Sequence, residues 1–351
     1  MSLRVGLTYN LKRQVSANER LPEDFFIEFD DEPTVDAIAS ALSKGGCEVT
    51  KIEANEKAYG KLRNLKAHIV FNIAEGLRGE SRESHIPAML EMLGIPYTGS
   101  GPLTLAIALD KALTHQYLSM NGVGSPDFQV FKTPSEMLAK RLKFPLVVKP
   151  LAEGSSKGVR GSSFVRDEPS LRKQISWVIE TYGQPAIVEQ FLPGREFTVG
   201  LIGNADARVL PIVEILLDKL PSGASPIYSY EAKWIWDVPE KPLDIFRCPA
   251  DIPQKLETEI RHVATKTFQA LNCRDLCRID MRLDSEGKPR VLEVNPLPGL
   301  IPNPDAHSCL PEAASTAGFT YDELICTVLW QALKRYGMQH LFKNPSLVRL
   351  R

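Results

Sequence analysis

Two short stretches, Arg278-Ile-Asp280 and Glu293-Val-Asn295, decide the fold of the C-terminal part of this chain. Between them lies Asp284-Ser-Glu-Gly-Lys288, a turn-rich segment flanked by alternating apolar residues, which is typical of a β-hairpin. If Glu286-Gly287 forms a two-residue turn, Asp280 and Glu293 fall directly opposite each other. Side chains alternate between the two faces of a strand. The core face should therefore carry Ile279, Met281, Leu283, Leu292 and Val294, and the opposite face Arg278, Asp280, Glu293 and Asn295.

The polar face of this hairpin predicts a metal site. Carboxylates opposite each other on neighbouring strands lie only ~5 Å apart at Cβ, which is repulsive unless a positive charge lies between them. Asp280, Glu293 and the amide oxygen of Asn295 are hard oxygen ligands, suited to Mg²⁺ or Mn²⁺ beside a polyphosphate. The alternative is a solvated hairpin face on which Arg278 neutralises Asp280.

The bulk composition indicates an ordinary globular protein. Its 351 residues are enough for two or three domains, and 43% hydrophobic with 24% charged residues is a usual balance. The net charge of −1 gives no electrostatic support for binding to nucleic acid or to a membrane. No apolar run of ~18 residues and no signal-peptide profile occurs. We therefore expect a cytoplasmic protein whose six scattered cysteines are reduced core residues rather than zinc ligands.

The order of the predicted elements divides the chain into three units. Over residues 1–111, strands at 3–8, 47–52 and 68–73 alternate with helices, which predicts an α/β unit with a doubly wound parallel sheet. Residues 112–202 have an α+β order, suited to an antiparallel sheet with helices on one face. Residues 203–351 hold the hairpin and helices near 253–271 and 321–336. The stretches 12–31 and 218–246 are predicted to be long loops, the second of them crossing the surface, and loops of such length are usually functional or mobile.

A lysine followed by a loop of small residues predicts phosphate binding. Lys149 ends an apolar strand, and Glu153-Gly-Ser-Ser-Lys-Gly158 follows it. Such a loop can lay backbone N–H groups and hydroxyls against phosphate oxygens. It is not a P-loop, because the lysine precedes the glycines. A flexible surface turn is the alternative.

Two further segments carry polar groups that a nucleotide could use. The stretch from Glu189 to Glu196 joins two predicted strands through Pro193-Gly194, and could offer backbone groups and a carboxylate to a base and ribose. An ordinary hairpin is the alternative there. Lys233, in Tyr230-Glu-Ala-Lys233, is either a solvated loop charge or a cation that a closing loop brings to the γ-phosphate.

Taken in order, these segments resemble the ATP-grasp superfamily and, within it, the D-alanine–D-alanine ligase family. The resemblance spans nearly the whole chain and rests on six motifs in the right order. They are Met92–Ser100 with Leu109-Asp-Lys111, the Lys149–Gly158 loop, Glu189–Glu196, Tyr230–Lys233, Arg278–Asp280, and Glu293–Asn295 continuing through Pro298-Gly299 to His307-Ser308. The resemblance implies a three-domain ATP-grasp architecture, with ATP held between the central and C-terminal domains.

The resemblance also implies a role for each site residue. ATP would be held by Lys111, Lys149, Ser155, Ser156, Glu189, Gln190, Leu192, Glu196 and Lys233. Two Mg²⁺ or Mn²⁺ ions would be bound by Asp280, Glu293 and Asn295, with Glu293 bridging. Arg278 and the backbone N–H of Gly299 would stabilise a tetrahedral intermediate. Ser155 would lie in the loop that closes over the site, and Ser308 would bind the carboxylate of the attacking amino acid.

The implied activity is the ATP-dependent joining of two amino acids through an acyl phosphate, chiefly of D-alanine with D-alanine in cell-wall precursor synthesis. The substrates would be small molecules, and a homodimer is compatible with the resemblance. Three alternatives stay open: the same reaction on a different amino acid or peptide pair, a phosphotransferase, and a non-catalytic nucleotide-binding module. Arg278 and Pro298-Gly299 argue against the phosphotransferase, because both serve the later tetrahedral step. The metal ligands together with Lys233 argue against the module.

The chain departs from the family pattern where the first amino acid should bind. The family has Ser-x-Glu-Arg-Glu-Val-Ser after the first strand, and its first Glu holds the substrate ammonium; residues 10–16 here lack that acid. The family's histidine loop is replaced by Ala74–Glu83, a Tyr by Trp234, and about three extra residues (302–305) precede Ser308. Glu75, Glu80 and Glu83 are alternative ammonium ligands. Glu75 is preferred because it follows a parallel strand, whose C-terminal end faces the ligand crevice.

Overall fold

The structure is a computed structural model that describes residues 2–14, 21–237, 242–303 and 308–349. Its N-terminal unit is built on three parallel strands, β1 (Leu3–Tyr9), β2 (Cys47–Glu53) and β3 (Ile69–Asn72), in the order β2-β1-β3. Helix α1 (Glu32–Lys44) packs on one face, and α2 (Ala58–Arg63) and α3 (His85–Leu93) pack on the other. Helices on both faces confirm the predicted doubly wound arrangement.

Local sequence signals set the ends of α1. The side chain of Asp31 caps the helix by accepting the backbone N–H of Thr34 at 2.8 Å. Pro33 lies in the first turn, where a missing N–H leaves no helical hydrogen bond unmade. At the other end, the backbone N–H of Gly45 donates to the carbonyl of Ala41 at 3.0 Å. Asp30 is thereby held at the entrance of the helix.

Helix α4 (Pro102–Leu109) leads from the N-terminal unit to the central unit, in which α5 (Lys111–Met120) is followed by an antiparallel sheet. Its strands are β4 (Phe128–Phe131), β5 (Leu146–Pro150), β6 (Phe164–Val165) and β7 (Ala186–Gln190), in the order β4-β7-β5-β6. Helix α6 (Glu168–Tyr182) covers one face, as predicted. Helix α4 was not predicted, because its apolar run Leu-Thr-Leu-Ala-Ile-Ala-Leu lacks the polar face that marks helical periodicity.

The C-terminal unit is built on the largest sheet, in the order β11-β10-β8-β12-β13 with β9 beside β8. Helix α7 packs on one face and helices α8 and α9 on the other, where α9 also packs on the core of the N-terminal unit. The elements are β8 (Glu196–Gly203), β9 (Arg208–Val209), β10 (Val213–Ile215), β11 (Phe246–Arg247), α7 (Gln254–Ala270), β12 (Asp275–Leu283), β13 (Pro289–Asn295), α8 (Cys309–Thr316) and α9 (Tyr321–Arg335). No helix in the described ranges is long and apolar enough to cross a membrane.

The sheets bear on the division into units at 1–111, 112–202 and 203–351. Strand β8 begins six residues before the expected boundary at Ile202, yet it pairs with β12 along Asp275–Arg282 and so lies inside the large sheet. We therefore propose that the central unit ends before Glu196. The first boundary, at Lys111, remains a proposal at the start of α5.

The predicted hairpin is present, and Asp280 lies opposite Glu293. The predicted two-residue turn is wrong: the N–H of Asp284 donates to the carbonyl of Lys288 at 2.9 Å, which leaves a three-residue loop with Gly287 at φ +78°. A bulge restores the register, because Met281 pairs with Val291 and Leu292 has no opposite residue. Leu292 consequently lines a cleft instead of the core, while Val291 is fully buried.

Each of the two predicted long loops has part of its length packed into the protein. Residues 21–30 form successive turns that bury Phe26 and Phe29, and residues 15–20 of that loop lie outside the described ranges. Within 218–246, the buried Ile227 and Ala232 turn the chain inward, so the predicted surface crossing is wrong there; residues 238–241 are not described. The short helical turns are Arg82–Ser84, Gly161–Ser163, Leu217–Lys219, the π-helix Ala232–Trp236, Gln339–Leu341 and Pro345–Leu347.

Candidate active site

A deep cleft lies between the central sheet and the large sheet. Its lining includes residues from every nucleotide motif that the sequence singles out: Lys111, Lys149, Ser155, Ser156, Glu189, Gln190, Leu192, Glu196 and Lys233. Arg278, Asp280, Glu293, Gly299 and Ser308 line the same cleft, while Asn295 lines a smaller cavity beside it. The fold thus brings together side chains from residues 111 to 308.

The floor of the cleft is the face of the hairpin that carries Asp280 and Glu293. Arg278 donates to both carboxylate oxygens of Asp280, at 3.0 Å and 2.9 Å, and the amide of Asn295 donates to Asp280 at 3.1 Å. Thr198 also donates to this carboxylate. Burial works to raise the pKa of Asp280, but the charge and hydrogen bonds of Arg278 outweigh it, and the pKa lies below its ordinary value. Asp280 is therefore an anion surrounded by donors.

Glu293 is paired differently from Asp280. Its Oε1 lies 3.2 Å from Nζ of Lys111, which also donates to the carbonyl of Glu153. Each carboxylate on the hairpin floor thus faces a separate cation, and this offsets the repulsion between them.

These donors fit a divalent cation that shares its coordination with phosphate oxygens. The described residues contain no group of three His, Cys, Asp or Glu side chains arranged for a metal ion. The hairpin instead offers two carboxylates and the Asn295 amide, which is few ligands for a closed site. Mg²⁺ usually takes one or two carboxylates and fills its octahedron with water and substrate phosphates. The donor set therefore fits Mg²⁺ or Mn²⁺ beside a nucleotide.

A buried chain of charges joins β5 to β7. Nζ of Lys149 lies 2.6 Å from Oε2 of Glu189, and Nε2 of His115 lies 3.0 Å from Oε1 of the same carboxylate. Burial works to raise the pKa of Glu189, but Lys149 and His115 outweigh it and bring the pKa to about 2. Lys149, which the resemblance assigns to phosphate binding, is thus paired with Glu189, which it assigns to nucleoside binding. His115 was missed, because a lone histidine in a helix gives no sequence signal.

Arg282, which also was not predicted from the sequence, lines the cleft next to Glu196. It donates to Glu196 at 3.2 Å and to the carbonyls of Gly194 and Pro226 at 3.0 Å and 2.9 Å. Burial raises the pKa of Glu196 despite Arg282. The backbone N–H of Gln190 donates to the carbonyl of Asp127 at 2.8 Å, so this N–H is already engaged.

The Gly/Ser loop and the 218–246 segment close on each other over the cleft. Ser155 and Ser156 have φ of +50° and +59°, in the left-handed region. The indole N–H of Trp234 donates to the carbonyl of Ser155 at 3.1 Å, and the hydroxyl of Ser156 donates to the carbonyl of Tyr228 at the same distance. Burial and the charge of Arg278 lower the pKa of the neighbouring Lys233 to about 8.

Ser308 lies beside Gly299 in spite of the extra residues between them. Its hydroxyl donates to the carbonyl of Gly299 at 3.0 Å. Residues 304–307, which include two positions of the insertion (304 and 305) and His307, lie outside the described ranges. The serine and the glycine that the resemblance assigns to one reaction step are therefore neighbours.

The smaller cavity adjoins the cleft and shares six lining residues with it: Glu28, Asp30, Ser155, Arg278, Glu293 and Gly299. Glu75 and Glu83 line it, whereas Glu80 and Arg78 are exposed and do not. Sequence reasoning missed two further carboxylates on its wall, Glu28 and Asp30, which come from the loop at 12–31. Their only sequence signal is the unusual length of that polar loop.

An antiparallel sheet and a larger sheet that enclose a cleft with lysines in its walls and carboxylates on its floor define the ATP-grasp class of proteins. Residues 118–330 match the family model described as the D-ala D-ala ligase C-terminus. The D-alanine–D-alanine ligase of Pelotomaculum thermopropionicum is 32% identical over 316 residues, which covers 87% of this chain and 93% of the relative. The chain belongs to the D-alanine–D-alanine ligase family.

One further relative and two solved structures are also similar to this chain. The uncharacterized protein y4sG of Sinorhizobium fredii is 38% identical over 310 residues, 86% of this chain and 88% of that protein. The crystal structure of the D-alanine–D-alanine ligase of Bacillus anthracis complexed with ATP superposes with a TM-score of 0.71 at 25% identity, covering 96% of this chain and 99% of that one. The VanG D-Ala:D-Ser ligase of Enterococcus faecalis, at 20% identity over 95% of this chain and all of that one, shares the fold with the same TM-score.

Proposed function

We propose that this protein is an ATP-dependent carboxylate–amine ligase that joins two amino acids, with D-alanine as the reference substrate at both positions. The observation that carries the proposal is the meeting of two cavities at Arg278, Glu293 and Gly299. A cleft suited to a nucleotide and a cavity suited to an amino acid then share one reaction centre. D-alanine enters as reference because the curated relatives at about 32% identity carry it in their names.

ATP is proposed to lie in the cleft with its base towards Glu189, Gln190 and Leu192 and its ribose near Glu196. Lys111, Lys149 and Lys233 face this cleft and would balance the charge of the phosphates. Ser155 and Ser156 belong to a loop that already contacts the 218–246 segment, so the same contact can exclude water once the nucleotide is bound.

Asp280, Glu293 and Asn295 are proposed to hold two Mg²⁺ or Mn²⁺ ions. The ions would neutralise charge on the phosphate oxygens while a phosphoryl group is transferred. Arg278, which now pairs with Asp280, would be free to turn towards the substrate when a metal ion takes over that carboxylate.

The proposed reaction has two steps. A carboxylate oxygen of the first amino acid attacks the γ-phosphorus, and ADP leaves, which gives an acyl phosphate. The neutral amine of the second amino acid, held through its carboxylate by Ser308, then attacks the acyl carbon. Phosphate leaves, and the amide nitrogen loses a proton. Arg278 and the N–H of Gly299 would stabilise the tetrahedral oxyanion, an effect typically worth ~3 kcal/mol for one donor.

The proposed role is cell-wall precursor synthesis in the cytoplasm, with free amino acids as partners. Reduced thiols are usual in that compartment, and the six cysteines form no disulfide. A different first amino acid is the second candidate, because the smaller cavity carries more carboxylates than one ammonium needs.

The test is to incubate the protein with Mg-ATP and D-alanine and to count ADP, phosphate and dipeptide. Equal amounts of the three products are expected. ATP hydrolysis without an amide, or an acyl phosphate that hydroxylamine traps but no amine consumes, would overturn the ligase assignment in favour of a phosphotransferase.

A further inference from the structure

The smaller cavity carries more carboxyl groups than cations on its walls. Glu28 is balanced locally: Arg82 donates to it at 2.8 Å, and Lys157 lies 3.8 Å away. The same two cations also contact Glu153, at 3.0 Å and 2.6 Å. Two acids and two bases thus form a neutral cluster, and neither Arg82 nor Lys157 remains to balance the other carboxylates of the cavity.

Three carboxylates of the cavity wall, Asp30, Glu75 and Glu83, are left without such compensation. Among the described residues, none of them has a side-chain hydrogen bond or an ion pair within 4 Å. Burial and the charge of Glu83 raise the pKa of Glu75, and burial raises the pKa of Glu83 to about 8 in spite of Arg82. Burial and Asp31 raise the pKa of Asp30 to about 7. Burial thus disfavours the ionised form of all three groups, and Glu75 is further disfavoured as an anion by Glu83 and Asp30.

The backbone holds these acids at the cavity. The N–H of Asp30 donates to the carbonyl of Asn10 at 3.1 Å, at the end of the first strand. The side chain of Asn10 in turn accepts the N–H of Gly76 at 2.9 Å, beside Glu75. Gly76 has a φ of +80°, and a Cβ there would lie 2.2 Å from the carbonyl of Arg82, so the loop carrying Glu75 and Glu83 is tightly folded. The backbone segments that carry the three acids are therefore held next to one another.

A second observation on the same wall points to a ligand. Asn72, which is 3% exposed, lines the cavity, and its amide Nδ2 has no hydrogen-bond partner among the described residues. Its oxygen is engaged, because it accepts from Thr8 at 2.8 Å and from the N–H of Ala74 at 3.2 Å. A buried donor without an acceptor is costly, so the cavity lacks an acceptor as well as cations. A zwitterion with additional positive charge supplies both.

We propose that the first substrate of the ligase is an amino acid with a second cationic group on its side chain, an ammonium or a guanidinium. This inference rests on the proposed function for the reaction, but the cavity alone carries the choice of substrate. D-alanine brings one ammonium to the three uncompensated carboxylates. A diamino acid or arginine brings two cations, and its carboxylate can still face Arg278, which the cavity shares with the cleft.

The test is a phosphate-release assay with D-alanine fixed as the second amino acid. The first amino acid is varied as matched pairs, both enantiomers of each: ornithine against norvaline, lysine against norleucine, and arginine against citrulline. We expect at least one cationic member to exceed its neutral partner about tenfold or more in kcat/KM, as expected for a charge-assisted contact. Equal values within every pair, or D-alanine as the best first substrate, would overturn the inference and leave the ligase assignment standing.

Variants of single acids show whether a preference for cationic substrates comes from the cavity or from the overall charge of the protein. Asp30→Asn, Glu75→Gln and Glu83→Gln are compared with Glu80→Gln, an exposed acid of the same loop outside the cavity lining. At least one of the first three should lower the cationic-to-neutral ratio about tenfold, and Glu80→Gln should leave it unchanged. A ratio that no cavity variant moves would contradict the assignment of these acids.

If no amino acid gives phosphate release, a binding measurement still tests the choice of substrate. That result would end the proposed function but not the inference. Calorimetric titration of the protein with ornithine and with norvaline, in the presence of Mg²⁺ and a non-hydrolysable ATP analogue, then gives the answer. About tenfold tighter binding of ornithine would support the cationic substrate class, and equal or absent binding of both would overturn it.

Discussion

Arg278 and Asp280, two residues apart on β12, form a two-point ion pair, with Nε 3.0 Å from Oδ1 and Nη2 2.9 Å from Oδ2. Both side chains are largely shielded from solvent, at 17% and 18% exposure. The arrangement keeps a guanidinium at the carboxylate that is proposed to bind metal. Displacing Arg278 by a metal ion would link ion binding to the release of the group that is proposed to stabilise the oxyanion.

Both hairpin carboxylates should be required for ATP turnover, and substitution of Asp280 should in addition lower the stability of the protein. We expect Asp280→Asn and Glu293→Gln to abolish phosphate release, since each removes a proposed metal ligand. Asp280→Asn should also lower the free energy of unfolding by about 1–3 kcal/mol, because buried Arg278 loses its ionised partner. Urea unfolding and phosphate release measure the two effects. Full turnover in either variant would contradict the metal site.

The hydrogen bond from Trp234 to Ser155 should control how often the Gly/Ser loop opens. Trp234→Phe removes the indole N–H, and a loss of about 1 kcal/mol predicts about fivefold faster proteolysis in the loop. Mg-ATP should slow cleavage in the wild type more than in the variant. Trp330→Phe is the control, because Trp330 packs on Phe342 and lines neither cavity. Equal cleavage of Trp234→Phe and wild type would rule out this role.

Glu189 should make the protein less stable in acid. Its pKa is about 2 in the folded state against 4.5 ordinarily, so its contribution is complete above about pH 5 and is lost as the pH falls towards 2. A shift of this size corresponds to about 3 kcal/mol. Urea unfolding at pH 7 and pH 3 should therefore show a smaller acid-induced loss in Glu189→Gln than in wild type. The exposed Glu48→Gln serves as control, and an identical loss in all three proteins would refute the prediction.

Glu75 should contribute to binding of the first amino acid. It lines the smaller cavity, and we expect Glu75→Gln to raise KM for the first amino acid tenfold or more, roughly the ~1.5–3 kcal/mol of a charge-assisted contact. KM for ATP should change little, because Glu75 does not line the nucleotide cleft. Steady-state kinetics with either substrate varied separate the two constants. If both stay at their wild-type values, the ammonium binds elsewhere, and Asp30 becomes the next residue to substitute.

For the hairpin, the predicted pairing of Asp280 with Glu293 is correct, although the predicted turn length is wrong. Alternation and the Asp284–Lys288 turn predict that Asp280 faces Glu293, which the structure confirms. The loop is one residue longer than predicted, and the bulge at Leu292 compensates for it. A bulge depends on how a strand twists against its neighbours, and no periodicity in the sequence records it.

Sequence alone determined the superfamily, because the nucleotide motifs are local: each needs only a strand end, a turn and a few adjacent polar residues. It also led to Glu75 at a strand end. Only the tertiary structure decided that Glu28 and Asp30 join Glu75 and Glu83 in one cavity, and that His115 and Arg282 support the cleft. Contacts between residues more than 40 positions apart depend on how each unit folds in three dimensions, and no local motif records them. The balance of charge in the smaller cavity is therefore a property of the packed chain.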